Sequence, residues 1–407
     1  MTSQREFRFR DIALAAYGPT VVNSIGHGAI APLIALHARD LGADVPTAAM
    51  VVALLGLGML LGSLPAGALI ARIGERRALM IVGFVDAVAM LAAAFAPTLL
   101  VLSFAMVLSG LSWSAFLLAR QGFMIDAVPP VYLARAMAGL GGSHRVGLFI
   151  GPLLGALFVH LFGIGAAFVL GATMSASSAL MARLMPDLGQ DGREESRAGG
   201  HLSVVSVLAE HRRTLLTLGS VVLLIGACRA FRTSLMPLWA DHIGLDATTT
   251  SLIFAVAALA DIAFVYPGGW LMDTYGRMVV ALPVMVAGAL ALLLLPLATS
   301  ALAMAAVMVL MGIGNGLSSG INMTLGADVA PVRGRAQFLG GWRLMGDLGV
   351  SGGPFLVSAV AVALSLSGVA VVLGILMALG SAWVGWWTHD VDVRRRAGLG
   401  ARPVSRS

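Results

Sequence analysis

Ten ionisable side chains of this chain stand inside long apolar runs: His27, Asp86, Arg120, His144, Arg145, Arg229, Arg232, Asp261, Arg343 and Asp347. Asn23, Asn315 and Asn322 accompany them. A charge in a bilayer core costs roughly 3 kcal/mol or more, so residues of this kind face one another or a wet cavity and are candidates for function. Carrying a proton requires a group that changes charge, which carboxylates and imidazole do and arginine does not. Asp261, near the middle of its run, ranks first for that chemistry, followed by Asp347 and then His27. Arg343 precedes Asp347 by one helical turn, so a structural ion pair competes with proton exchange there. Asp86 reads as a group that satisfies a neighbour, and His144 with Arg145 divide evenly between gate and solute contact. The five intramembrane arginines outnumber the three aspartates, a balance that suits anionic or polar neutral solutes. Walls rich in Met, Leu, Phe and Trp would instead admit varied apolar compounds.

The elements that carry these groups follow from composition. With 58% hydrophobic and only 11% charged residues, a water-soluble domain of 407 residues would expose much of its core. Runs of about 20 apolar residues span a bilayer as helices. Twelve occur, near 12–37, 47–71, 78–96, 98–126, 138–162, 163–184, 214–239, 248–272, 278–298, 300–326, 338–362 and 366–388. The first is too long for a signal-peptide core and is expected to stay as a helix. The chain has no lysine, and with twelve spans its loop arginines gather on one side, Arg39 excepted. That is the positive-inside pattern, and it predicts cytoplasmic termini, with Trp383, Trp386 and Trp387 at the interface where the last helix leaves the membrane.

The chain also repeats itself at an offset of 202: PAGALIARIGERR at 65–77 recurs as PGGWLMDTYGRMV at 267–279. The same offset joins Gly42 to Gly244, Asp44 to Asp246, Gly110 to Gly312, Asp126 to Asp328, and Pro152 to Pro354. Such a duplication predicts two six-helix bundles, 1–185 and 214–390, joined by a polar cytoplasmic linker at 186–213 and followed by a cytoplasmic tail at 391–407. Leu202 to Leu208 of the linker suits a short amphipathic surface helix.

Several chemistries are absent from the pattern. A Walker loop needs a lysine, and HExxH, GxSxG and EF-hand signatures do not occur. The single cysteine, Cys228, rules out an internal disulfide and argues against a cysteine metal cluster. No enzyme, metal site or cofactor is expected, and the basic balance reflects topology rather than nucleic-acid binding.

Two bundles, a central loop and the turn pattern GxLxDxxGR resemble the major facilitator superfamily along essentially the whole chain, most closely its twelve-helix drug and proton antiporters. The second copy reads Gly269, Leu271, Asp273, Gly276 and Arg277; the first reads Gly67, Leu69, Gly74, Arg76 and Arg77, with Ala71 in place of the aspartate. The resemblance implies ion pairs from Arg72 or Arg76 to Asp126 and from Arg277 to Asp328, which latch the outward-open state. Gly147, Gly151, Pro152 and Gly155 are similar to the antiporters' fifth-helix packing motif, Ala156 replacing its last glycine. Their fourth-helix arginine is missing, since Met106 stands four residues before Gly110. In that family helices one, four, seven and ten line the cavity. The resemblance therefore points to Asn23, His27, Trp113, Arg120, Arg229, Arg232, Asn315 and Asn322 as solute contacts, Arg120 and Asn322 standing nearest the cytoplasmic gate.

The expectation is an all-α, multi-pass protein of a bacterial cytoplasmic (inner) membrane, working as a monomer by alternating access. It would exchange protons for small amphipathic compounds such as drugs. Import or facilitated passage of a metabolite or organic anion is the alternative; a membrane sensor or an intramembrane enzyme lacks the signalling domain or the nucleophile and base it would need.

Overall fold

The computed structural model describes residues 9–185, 204–331 and 335–396. Among them the order is α1 Phe9–Ile30, α2 Ile34–Asp40, α3 Val45–Ile73, α4 Glu75–Ala94, α5 Leu99–Ala127, α6 Pro130–Phe162 and α7 Ile164–Met181. Then come α8 Val204–Glu210, α9 Ser220–His242, α10 Ala247–Tyr275, α11 Met278–Leu294, α12 Ala301–Leu317, α13 Ile321–Val329, α14 Arg335–Ala361 and α15 Leu366–Arg396. Twelve segments are long and apolar enough to cross a membrane, α1 with α2 making one and α12 with α13 another. Residues 186–203 of the expected linker and 397–407 of the tail lie outside the described residues.

Local chemistry sets the boundaries. The Asp44 carboxylate accepts the Thr47 N–H (2.9 Å) at the start of α3, and its repeat mate Asp246 accepts the Thr249 N–H (2.6 Å) at the start of α10. Hydrogen bonds from the Thr47 side chain and backbone hold the Asp44 carboxyl below its usual range. Gly74 (φ +87°) and its mate Gly276 (φ +111°) make the reversals after α3 and α10 in a region that favours glycine.

The helices form two compact units, the first taking described residues of 1–33 and 57–199, the second those of 34–56 and 200–407. In the first, α1 packs on α6 and α7, and α4 on α5 and α7. Small residues make the α1–α6 approach possible: a Cβ at Gly151 would lie 2.5 Å from the Ile25 carbonyl oxygen, and one at Gly155 2.9 Å from that of Ala29. In the second, α9 packs on α14, α10 on α12, and α11 on α12 and α15. The α9–α14 contact uses the matching stripe, where a Cβ at Gly353 would stand 2.6 Å from the Ala230 Cβ.

Two runs behave differently from their sequence reading: the first is interrupted between Ile30 and Ile34, and the tenth further on. Residues 300–326 read as an unbroken helix, but the chain turns between Leu317 and Ile321, with Gly320 left-handed at φ +84°. The first-copy mate of Gly320 is Leu118, inside the continuous α5. Glycine at this point lets the second copy interrupt a helix that the first copy completes.

Candidate functional site

In the first unit the buried polar residues converge on Asp86 of α4. His27 Nε2 on α1 lies 3.0 Å from Asp86 Oδ2, the Ser175 hydroxyl on α7 donates to the same oxygen (2.6 Å), and the Ser109 hydroxyl on α5 donates to Oδ1 (2.6 Å). Asp86 is 2% exposed and His27 8%, so this is a carboxylate with three neighbours in an almost dry setting. Close helix contact permits it. A Cβ at Gly26 would sit 3.0 Å from the Gly171 carbonyl oxygen, and one at Gly83 2.8 Å from the Ala179 Cβ. Trp113 of α5 stacks on the His27 ring with centroids 3.9 Å apart, and its other neighbours are His144 of α6 (5.7 Å) and Phe116 (5.8 Å). Ser24 and His144 Nδ1 share a hydrogen bond of 2.7 Å. Asn23 is 1% exposed, and its side-chain carbonyl has no hydrogen-bond partner.

The second unit builds a different cluster. Asn315 of α12 donates to Asp261 Oδ2 of α10, and Arg232 of α9 reaches the same oxygen at 4.0 Å. Gly312 and Gly316 bring the two helices together, since a Cβ on either would run into the carbonyl oxygen of Ala257 or Asp261. Arg229, one turn before Arg232 on α9, donates to the Ser318 hydroxyl (2.9 Å) and carbonyl (3.1 Å), the latter available because the helix is interrupted there. The Asn315 side-chain carbonyl is buried without a partner, as is that of Asn322, whose backbone oxygen accepts the Trp342 indole N–H (2.7 Å). Asp347 faces Arg343 at 3.7 Å on α14, both partly exposed.

The two glycine turns also differ. Arg277 is 4% exposed and makes a fork on Asp328, Nε to Oδ2 at 2.7 Å and Nη2 to Oδ1 at 3.1 Å, the geometry expected from the repeat. Asp392 of α15 adds a part with no sequence signal: it accepts the backbone N–H groups of Arg277 (2.8 Å) and Met278 (2.9 Å), a carboxylate seated on the N-terminus of α11. In the first copy the residue at the Arg277 position is Glu75, with Arg76 and Arg77 displaced beyond it. Arg72 is exposed and Arg76 half-buried; the side chain of Asp126, their expected partner, lies outside the described residues. Gly67 lies inside α3, and Gly269 and Asp273 inside α10, ahead of the turns, Asp273 exposed. Within the second unit, Arg39 Nε pairs with Asp241 Oδ2 at 3.0 Å, and these two are repeat mates.

Sequence reasoning picked out His27, Trp113, Arg229, Arg232, Asp261 and Asn315, and the structure gathers them into two clusters, one per unit. It did not find Ser24, Ser109, Ser175, Ser318, Asp241 or Asp392. Arg120 is half-buried on α5, among the neighbours that act electrostatically on His144.

Twelve apolar spans among the described residues, in two units, each with acid and base groups set between its helices, define a multi-pass membrane protein. The chain belongs to the Major Facilitator Superfamily, whose profile matches residues 20–354 and again 218–405. Relatives include the multidrug resistance protein MdtG of Serratia proteamaculans, 28% identical over 165 residues, and that of Yersinia enterocolitica, 28% over 173 residues. These matches span about 40% of this chain and 40% to 42% of those relatives. Among solved structures, a POT family transporter in complex with 5-aminolevulinic acid superposes with TM-score 0.78 at 13% identity, over 94% of this chain and 96% of that one. The nucleoside transporter NupG does so with TM-score 0.72 at 15% identity, over 93% and 98%. At such identities these two likenesses speak for the fold alone.

Proposed function

We propose that the protein is a proton-coupled exporter of small amphipathic compounds in a bacterial cytoplasmic membrane, with both termini cytoplasmic, working as a monomer by alternating access. The observation that carries this reading is a buried, chargeable pair in each unit, His27 with Asp86 and Arg232 with Asp261. A transporter that runs on a proton gradient needs one group to hold the proton and another to hold the solute, each inside the membrane. Similarity to proteins named for multidrug resistance supports export and amphipathic cargo. The Arg277–Asp328 fork then serves as a latch on one conformational state. A second reading, passage of an organic anion, rests on the guanidiniums of Arg229 and Arg232 standing against the single carboxylate of Asp261.

Everted vesicles test the choice. With an internal pH dye and an imposed gradient, lipophilic cations, neutral drugs and organic anions are added in turn. Collapse of the gradient that depends on the compound and on the protein is the expected result. Silence to all three classes, while cells making the protein accumulate a metabolite, removes export in favour of uptake.

A further inference from the structure

We propose that the coupling proton is carried by the His27–Asp86 pair of the first unit, Asp86 serving as a fixed carboxylate and His27 as the group that takes up and releases the proton. This rests on the proton-coupled reading above and assigns its chemistry to a place.

The hydrogen bonds decide between the candidates. Asp86 takes hydroxyl donors on both oxygens, from Ser109 and Ser175, which is the pattern of an ionised acceptor. A proton arriving at His27 therefore creates an ion pair across 3.0 Å, where a neutral imidazole had a hydrogen bond. At Asp261 the outcome is reversed. Its Oδ2 already accepts from Asn315 and faces Arg232, and neither partner can give up a proton at biological pH. Protonating Asp261 would dissolve an ion pair; protonating His27 forms one. Asp347 lies beside Arg343 and has the same disadvantage.

The surroundings of His27 agree. From α4 it meets Asp86, from α5 the face of Trp113, and from α7 Ser175, which shares the Asp86 oxygen. From α6 the nearest titratable group is His144, which stands across Trp113, holds Ser24 and has Arg120, Arg145 and His27 as its cationic neighbours. A positive imidazolium is attracted both by a carboxylate and by the negative face of an indole, and His27 has both within contact. His144 has cations instead. Trp113 thus stands between a ring placed beside a carboxylate and one placed among cations.

Two readouts on the full-length protein test this. Protonated histidine quenches a neighbouring indole, so purified wild type should lose more tryptophan emission on acidification than Trp113→Phe does, the difference being the emission of Trp113. That Trp113-dependent change should vanish in His27→Gln, weaken in Asp86→Asn and persist in His144→Gln, the Trp239–His242 pair (5.2 Å) supplying a background common to all. In vesicles, His27→Gln should keep exchange of labelled for unlabelled compound, which also shows that it folds, and should lose accumulation driven by the pH gradient. Asp86→Asn is the second variant should His27→Gln fail to insert. A Trp113-dependent emission change that survives His27→Gln, or gradient-driven accumulation that survives it, overturns the assignment. If the emission change behaves as expected but wild-type vesicles move no protons with any compound, His27 is a protonation site and it is the export reading that falls.

Discussion

The two units place their polar residues at matching positions and give them opposite chemistry. His27 and Arg229 are mates at the repeat offset, and so are Trp113 and Asn315. The acids are not. Asp86 stands on α4, and its mate on α11 is Gly288, where a side chain would collide with Cys228; Asp261 stands on α10, and its mate on α3 is Met59. An imidazole beside a carboxylate thus occupies the first cluster, and a guanidinium beside a carboxylate the second. The mates His27 with Arg229 and Trp113 with Asn315 keep α1 with α9 and α5 with α12 as carriers of functional side chains, while the acids stand on helices that are not mates. On the reading proposed above, the first pair holds the proton and the second faces the solute.

The sharpest way to break this comparison is to remove the first unit's acid. Asp86→Ala leaves His27, Ser109 and Ser175 buried without their acceptor, and removing one partner of a buried pair costs about 3–5 kcal/mol. A large drop in melting temperature in detergent is expected. Asp86→Asn should recover much of it while still losing gradient-driven transport. If Asp86→Ala melts like wild type, the carboxylate is not the centre of that packing.

Asp261→Asn probes the other side. It keeps a side chain of the same shape beside Asn315 and removes the charge that faces Arg232. A charge-assisted contact contributes roughly 1.5–3 kcal/mol, so a cationic compound should lose about tenfold or more in affinity while a neutral one changes little. Equal loss for both classes would make Asp261 a structural residue and dissolve the division of labour.

The glycine turns give a smaller contrast. Both Gly74 and Gly276 have positive φ, so alanine at either strains the backbone by roughly 1–3 kcal/mol. At Gly276 the new Cβ would also meet a carboxylate, 2.5 Å from Asp392 Oδ2, and disturb the seat of Asp392 on α11. Gly276→Ala should therefore lower the melting temperature more than Gly74→Ala; the opposite order would mean that the Asp392 contact contributes little.

How much of this was legible beforehand follows from what lipid demands. Apolar length and arginine placement exposed the twelve spans, and charge in apolar runs exposed His27, Arg229, Arg232 and Asp261, because each is costly and stands out. Serines 109, 175 and 318 cost little in a helix and gave no signal. That Asp86 would meet His27 depended on the lateral order of helices, which periodicity along one chain does not encode. The break at Gly320 was hidden because GLSSG remains apolar enough to read as a span, and Asp392 was passed over as part of a tail when it belongs to α15.

The finest test concerns two mates that touch. Arg39 and Asp241 pair at 3.0 Å within the second unit, and the turns that follow them repeat bond for bond. Gly42 N–H donates to the Arg39 carbonyl (2.9 Å) and Gly244 N–H to that of Asp241 (3.0 Å); Ala43 N–H donates to the Ala38 carbonyl (3.0 Å) and Leu245 N–H to that of Ala240 (2.9 Å). Arg39 Nη1 also donates to the Ala43 carbonyl (2.6 Å), so an arginine at 241 would find the Leu245 carbonyl in the corresponding place. The side chains are 35% and 38% exposed, which sets the pair at about 0.2–1 kcal/mol. Arg39→Asp or Asp241→Arg alone sets like charges together and should lower the melting temperature slightly, while the double swap should restore it. In about 1 M salt, where screening reaches roughly 3 Å, all four proteins should melt together. A double swap as unstable as either single reversal would show that the repeat equivalence of the backbone does not extend to the side chains it presents.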